Sequence, residues 1–151
     1  MTIILSIISL FIFLFYLYFC AYEDWKTCYV QRWKHLIGLS ASILMIIAFH
    51  NISFHTLKYI LLYLIFYFVL GILKVYGMAD GFVFMNMTLF LSSLFGIYSI
   101  FITIIIQIIS CFLSLIFRLI RKLFKIKTNL SFIPYITFTF TIFIIIFFII
   151  K

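Results

Sequence analysis

The sequence predicts an all-α polytopic membrane protein of about six transmembrane helices, with its N-terminus outside. The composition is the first reason, because 68% of the 151 residues are hydrophobic and only 9% are charged. Runs of about 18 apolar residues, each long enough to span a bilayer, recur along the chain. Helices are favoured over a barrel because these runs lack a two-residue alternation. We therefore expect a single membrane-embedded domain over residues 1–151.

The apolar runs divide the chain into six segments. The first is interpreted as a retained helix, because no basic region precedes it and no small-residue cleavage pattern follows it. The 37 uncharged residues from 81 to 117 are too long for one crossing of a roughly 30 Å core. A break near Ser92, Ser93 and Gly96 therefore separates a short fourth helix from the fifth. The predicted segments are Thr2–Phe19, Leu36–Phe54, Leu57–Val75, Phe82–Phe95, Ile97–Phe117 and Phe132–Ile150.

The basic residues predict the orientation of these segments. Nine of the eleven fall in the connections after segments one, three and five, which are therefore predicted to be cytoplasmic. The basic loop 118–127 is interpreted as an orientation signal attracted to anionic headgroups. The expected contact is thus the lipid bilayer, and no nucleic acid is expected as a partner. The nine residues are Lys26, Arg32, Lys34, Lys74, Arg118, Arg121, Lys122, Lys125 and Lys127.

The three acidic residues of the chain lie in two places, Glu23 with Asp24 after the first segment and Asp80 before the fourth. The predicted topology puts Asp24 and Asp80 at the same inner face, separated by one helical hairpin. Taken singly, each aspartate could be an interfacial residue in an ion pair, Asp24 with Lys26 and Asp80 with Lys74.

A pair of close carboxylates has a specific chemistry. Two such groups share one proton, so that one activates a water as general base while the other donates to a substrate carbonyl. Asp24 and Asp80 are therefore candidate catalytic residues for peptide hydrolysis. The small residues Gly77, Ala79 and Gly81 would form a substrate loop that an extended backbone can approach closely. The alternative interpretation of these small residues is a plain turn between two helices.

Four features carry a resemblance to a known family. Asp24 is followed six residues later by Val30, Gly77-Met78-Ala79-Asp80 has the form GxAD, and a basic stretch leads into Phe132-Ile133-Pro134-Tyr135. With the six-segment layout, these features resemble the type IV prepilin peptidase and preflagellin peptidase family, whose short members are membrane aspartyl proteases with a GxGD-type motif. The chain differs from the family pattern at Gln31-Arg32, where the family has Pro-Asn, and at Phe82, where Lys is common.

The resemblance implies a function and a location. It implies a multi-pass aspartic endopeptidase of the type IV pilus system, in the cytoplasmic membrane of a prokaryote. Its substrate would be a prepilin-like precursor with a basic leader followed by an apolar helix. Asp24 and Asp80 would be the catalytic pair, with Gly77 and Ala79 shaping the loop and with no metal or cofactor. The zinc-binding cysteine domain of larger members is missing, so N-methyltransferase activity is not implied.

The remaining polar residues indicate no metal site. The predicted topology separates His35 from His50 and His55, which favours interfacial packing. Cys20, Cys28 and Cys111 form no CxxC, which indicates neither a zinc site nor a disulfide framework.

Two further polar positions bear on the site and the bundle. Adjacent helical residues point about 100° apart, so only one of Glu23 and Asp24 faces the bundle. The residues alone do not choose between these two acids, whereas the resemblance favours Asp24. Gln107 is predicted to make an interhelical hydrogen bond.

Two other function classes use the same residues. A small cation or proton transporter could bind its ion at the two aspartates, and it would need polar side chains along a path to the outer face. A catalytically inactive homologue could act as an assembly scaffold, and it would be insensitive to the loss of either aspartate. The sequence leaves both alternatives open beside the peptidase.

Overall fold

The chain folds into six α-helices in the computed structural model, which describes residues 2–49, 53–73, 77–124 and 131–150. No strand occurs in these ranges, so the predicted all-α class is confirmed. Four helices, α1, α4, α5 and α6, are long and apolar enough to cross a membrane, and α2 and α3 contain shorter apolar stretches. The helices are α1 (Thr2–Thr27), α2 (Lys34–Phe49), α3 (Phe54–Ile72), α4 (Met78–Phe95), α5 (Tyr98–Phe124) and α6 (Ile133–Ile150).

The predicted break between the fourth and fifth segments is confirmed at Gly96. This residue ends α4 with a φ of +56°, a conformation that glycine adopts without a side-chain clash. Its N–H donates to the Ser92 carbonyl at 2.9 Å. The uncharged stretch therefore forms two helices joined by a tight turn.

Several predicted boundaries are wrong. The second segment was predicted to reach Phe54, but Phe54 is the first residue of α3. Elsewhere, helices continue past the apolar runs. α1 extends to Thr27 rather than Phe19, and α5 extends to Phe124, so Arg118, Arg121 and Lys122 lie on a helix rather than in a loop. No glycine or proline interrupts either extension. The apolar run marks only the part of each helix suited to the bilayer.

The predicted loop at residues 77–81 is also corrected. Gly77 is the N-cap of α4, and residues 78–81 form its first turn. An aspartate in the first turn is favoured by the helix dipole, so Asp80 stabilises the start of α4. The helix begins at Met78, four residues before the predicted start at Phe82. The small residues are therefore part of a helix start and do not form a separate loop.

α4 lies at the centre of the bundle. It packs against α2, α3 and α5, while α1 packs against α2 and α6. Aromatic rings join the helices at one point, where Phe13 stacks on Phe90 with 4.3 Å between centroids and meets Phe140 edge-on at 5.4 Å. All three rings are fully buried.

Hydroxyl and amide side chains join the helices elsewhere. Thr88 of α4 donates to Thr103 of α5 at 3.1 Å, and Ser42 of α2 donates to the Asn86 carbonyl at 3.0 Å. The Tyr67 hydroxyl of α3 donates to Gln107 of α5, which confirms the predicted interhelical role of Gln107. Such bonds suit a bundle in lipid, where helices gain little from hydrophobic burial alone.

The outer surface of the bundle is apolar. Large hydrophobic side chains are more than half exposed on several helices, which a water-soluble protein of this size rarely tolerates. A surface of this kind fits contact with lipid chains. Examples are Phe11, Phe15, Phe101, Phe112, Phe138 and Phe148.

Candidate active site

A cavity of about 510 Å³ lies at the end of the bundle where α1 ends and where α2 and α4 begin. Asp24 and Asp80 both line it, together with Gly77 and Ala79. The structure thus brings together four of the five site residues named from the sequence. Gly81 is buried and lines a narrower cleft beside Tyr67 and Met85.

Asp24 lies on the last turns of α1 and is only 8% exposed. Its Oδ2 accepts hydrogen bonds from the backbone N–H groups of Phe132 and Ile133, each at 3.0 Å. These donors belong to the start of α6, where backbone N–H groups have no partner within the helix and the dipole favours a negative charge. Asp24 therefore caps α6 from a distant part of the chain and is held in one position.

Asp80 occupies the third position of α4. The N–H of Gly77 donates to its carboxylate, which is the half of a capping box that runs from the third residue back to the N-cap. A Cβ placed on Gly77 would lie 2.8 Å from Asp80 Oδ2. The absence of a side chain at Gly77 therefore leaves room for the Asp80 carboxylate.

Glu23 is separated from the cavity by its own contacts. Its Oε1 lies 2.6 Å from Lys34 Nζ, and its Oε2 accepts from the Gln31 N–H at 3.2 Å. Lys34 also lies over the Phe19 ring, 4.2 Å from the centroid. Glu23 thus stabilises the turn between α1 and α2. This pair, rather than the Asp24–Lys26 pair considered from the sequence, is the ion pair among the described residues.

His35 is a wall residue that the sequence analysis assigned to interfacial packing. The structure buries it, with its Nδ1 2.9 Å from the Tyr16 hydroxyl and its ring stacked 5.2 Å from the Phe82 ring. The Asn86 amide donates to the Tyr16 hydroxyl at 3.2 Å and to the His35 carbonyl at 2.9 Å. The sequence feature that could have identified His35 as a site residue was its predicted position at the same membrane face as the two aspartates.

The other histidines give no comparable information. His50 and the side chain of His55 lie outside the described residues, as does Lys74, the partner considered for Asp80. In the described ranges, no three His, Cys, Asp or Glu residues are grouped as a metal site would require.

Cys28 and Arg32 complete the polar part of the cavity wall. Cys28 is exposed and has a φ of +53°, which is uncommon for a residue with a side chain and lets the chain turn sharply after α1. Arg32 adds a positive charge to the wall of the same cavity. The wall thus combines two acids, one cation and the imidazole of His35 at one end of an apolar bundle.

Comparison of the chain with protein-family models, with curated proteins and with solved structures gave no match. The chemistry of the site is therefore argued from its own residues.

Proposed function

We propose that this chain is a membrane aspartic endopeptidase that cleaves the leader peptides of prepilin-like precursors at the cytoplasmic face of a prokaryotic cell membrane. One observation carries the proposal. Two of the three acidic residues in the chain, Asp24 and Asp80, come from different helices and line the same cavity. Carboxylates are costly in a membrane-spanning chain, so two that line one cavity mark a candidate functional site.

The proposed reaction needs only these two groups and water. The ionised carboxylate takes a proton from a water, whose oxygen attacks the scissile carbonyl carbon, while the protonated carboxyl group donates to the carbonyl oxygen. Collapse of the tetrahedral intermediate breaks the C–N bond, and a carboxyl proton passes to the leaving amine. The two N–H donors of α6 fix Asp24 for this role, and the open space at Gly77 admits Asp80.

The position of the cavity supports a substrate cut beside an apolar helix. It lies where the bundle helices end, the level at which a basic leader would give way to the apolar segment of a precursor. The chain has a net charge of +8, and Arg32 lines the cavity, so a basic leader gains little from the overall field. Recognition is therefore assigned mainly to the apolar helix of the substrate.

The experiment that tests the proposal is cleavage of a co-expressed prepilin-like precursor by the wild type, by Asp24→Asn and by Asp80→Asn. Loss of processing in both variants, at membrane levels equal to the wild type, supports the peptidase. Processing that survives either substitution, or a wild type that cleaves none of the precursors encoded beside its gene, overturns it. Either of these overturning results would favour the transporter or the scaffold.

Gly77→Ala is expected to slow cleavage while leaving the fold unchanged. The backbone at Gly77, with φ −58° and ψ 135°, is open to alanine, but the new Cβ would displace the Asp80 carboxylate. A displacement of about 1 Å from a productive geometry costs roughly 10²-fold in rate. Cleavage rate and thermal unfolding in detergent would be measured together. A variant that cleaves at the wild-type rate would contradict the assigned role of Gly77.

Labelling of Cys28 is expected to report the orientation of the site. Cys28 is exposed at the cavity, Cys20 is fully buried, and Cys111 lies partly buried within α5. With the N-terminus outside, a membrane-impermeant maleimide should label the chain in inside-out vesicles and not in intact cells. Cys28→Ser should abolish the labelling. Labelling from outside intact cells would reverse the assigned orientation.

A further inference from the structure

The central helix α4 is covered by other helices except along one line. From Gly81 to Ser93 every residue is buried apart from Phe82, Met85 and Leu89. These three follow one another at spacings of three and four residues, so they lie on one face of the helix. Met78, which is 45% exposed, continues the same line to the end at which Asp80 lies.

This line forms the floor of a groove between two helices. α2 and α3 each pack against α4 and scarcely touch one another in the described residues. On one side, His35 of α2 stacks on Phe82. On the other side, α3 supplies the wall of a narrow cleft over α4. We call this cleft the α4 groove, and its lining includes Tyr67, Phe68, Gly71, Met78, Phe82 and Met85.

The α4 groove opens into the cavity of the two aspartates. Phe68, Met78 and Phe82 line both. A segment lying along the groove therefore reaches the carboxylates at its end without crossing another helix. Along α4, the ten residues from Asp80 to Leu89 cover about 13.5 Å, or two and a half helical turns.

We propose that the α4 groove is the docking site for the apolar helix of the precursor, which enters sideways from the lipid between α2 and α3. This inference rests on the proposed peptidase function, because a bond just before an apolar helix must reach Asp24 and Asp80 when that helix is bound. The continuity of groove and cavity meets this requirement, whereas a lipid chain would have no need of it.

The residues of the groove suit a helix as the occupant. Gly71 is buried in the wall that α3 forms, and a small residue there lets α3 lie close to α4. A Cβ on Gly71 would already lie 3.0 Å from the Met78 sulfur. Methionine side chains such as Met78 and Met85 adapt to partners of different shape, which fits precursors that share an apolar character rather than a sequence.

Site-specific photo-crosslinking tests the docking site directly. A photoreactive residue would replace Met85 in the full chain carrying Asp80→Asn, co-expressed with a prepilin-like precursor. The matched control carries the same residue at Phe138, which is 57% exposed on α6, away from the groove. We expect the precursor adduct at Met85 to exceed that at Phe138 by about tenfold, which is the ratio that a tenfold difference in binding affinity would give. Equal adducts at the two positions, or lipid adducts alone at Met85, overturn the proposal.

A second variant links docking to cleavage. Met85→Trp, which fills the groove, is expected to lower cleavage by about tenfold, whereas Phe138→Trp should leave it unchanged. Cleavage that requires both aspartates while crosslinks are equal at the two positions would reject the docking site and keep the peptidase. A preferential crosslink at Met85 without any cleavage would keep the groove as a helix-binding surface and reject the peptidase.

Discussion

Asp24→Asn and Asp80→Asn are each expected to lower leader cleavage by roughly 10²–10⁴-fold, the usual contribution of a positioned acid or base. Asparagine keeps the size of the side chain but can neither take a proton from water nor share one with its neighbour. No other acid can take the place of either aspartate. The third acidic residue of the chain, Glu23, does not line the cavity and is held by Lys34. The rate of precursor cleavage would be measured at matched amounts of inserted protein.

Comparison of asparagine with alanine at Asp24 separates catalysis from structure. Asp24→Ala removes the acceptor of the Phe132 and Ile133 N–H groups, whereas the amide oxygen of Asp24→Asn can still accept from them. A buried donor left without a partner costs about 1–3 kcal/mol. The alanine variant should therefore unfold at a clearly lower temperature in detergent, although both variants are expected to lose cleavage. Equal unfolding temperatures would mean that the cap on α6 contributes no stability.

Glu23→Gln is expected to give the opposite pattern, with a large loss of stability and little loss of chemistry. Its partner Lys34 is 6% exposed, and Glu23 itself is 17% exposed. Removing one member of a buried ion pair typically costs roughly 3–5 kcal/mol, because the other charge stays buried without compensation. Glu23 does not line the cavity, so cleavage per folded molecule should remain close to wild type.

The double variant Glu23→Gln with Lys34→Met is the control for this second prediction. An apolar side chain at Lys34 removes the uncompensated charge, so the double variant should recover much of the stability lost in Glu23→Gln. Chemical or thermal unfolding of both variants in the same detergent provides the measurement. If the double variant is no more stable than the single one, the loss would come from the bond to Gln31 rather than from the charge.

The fold was predictable from the sequence because one property, the length of the apolar runs, decides which segments can enter a bilayer. Gly96 was recognisable as a break since no single helix could hold the uncharged stretch around it. The ends of the helices were not predictable in the same way. The extensions of α1 to Thr27 and of α5 to Phe124 consist of polar and apolar residues that a helix accepts equally well. For these two helices, hydropathy therefore indicates the membrane span and underestimates the length of the helix.

The site was predictable only in part, for a related reason. Topology could place Asp24 and Asp80 at one face, because it depends on the order of helices alone. The choice between Glu23 and Asp24 depends on where Lys34 and the start of α6 lie in space, which no local pattern encodes. His35 was missed because its burial comes from Tyr16 and Phe82, residues far from it in sequence.

The cap on α6 also sets an order of events during synthesis of the chain. Asp24 lies 108 residues before its donor at Phe132, so a ribosome adding about 5–20 residues per second makes the donor roughly 5–20 s after the acid. Both aspartates are present well before α6 emerges, but Asp24 is not yet fixed. The proposed peptidase thus matures only when its last helix has inserted, and a nascent chain passing through the translocon would not cleave its neighbours prematurely.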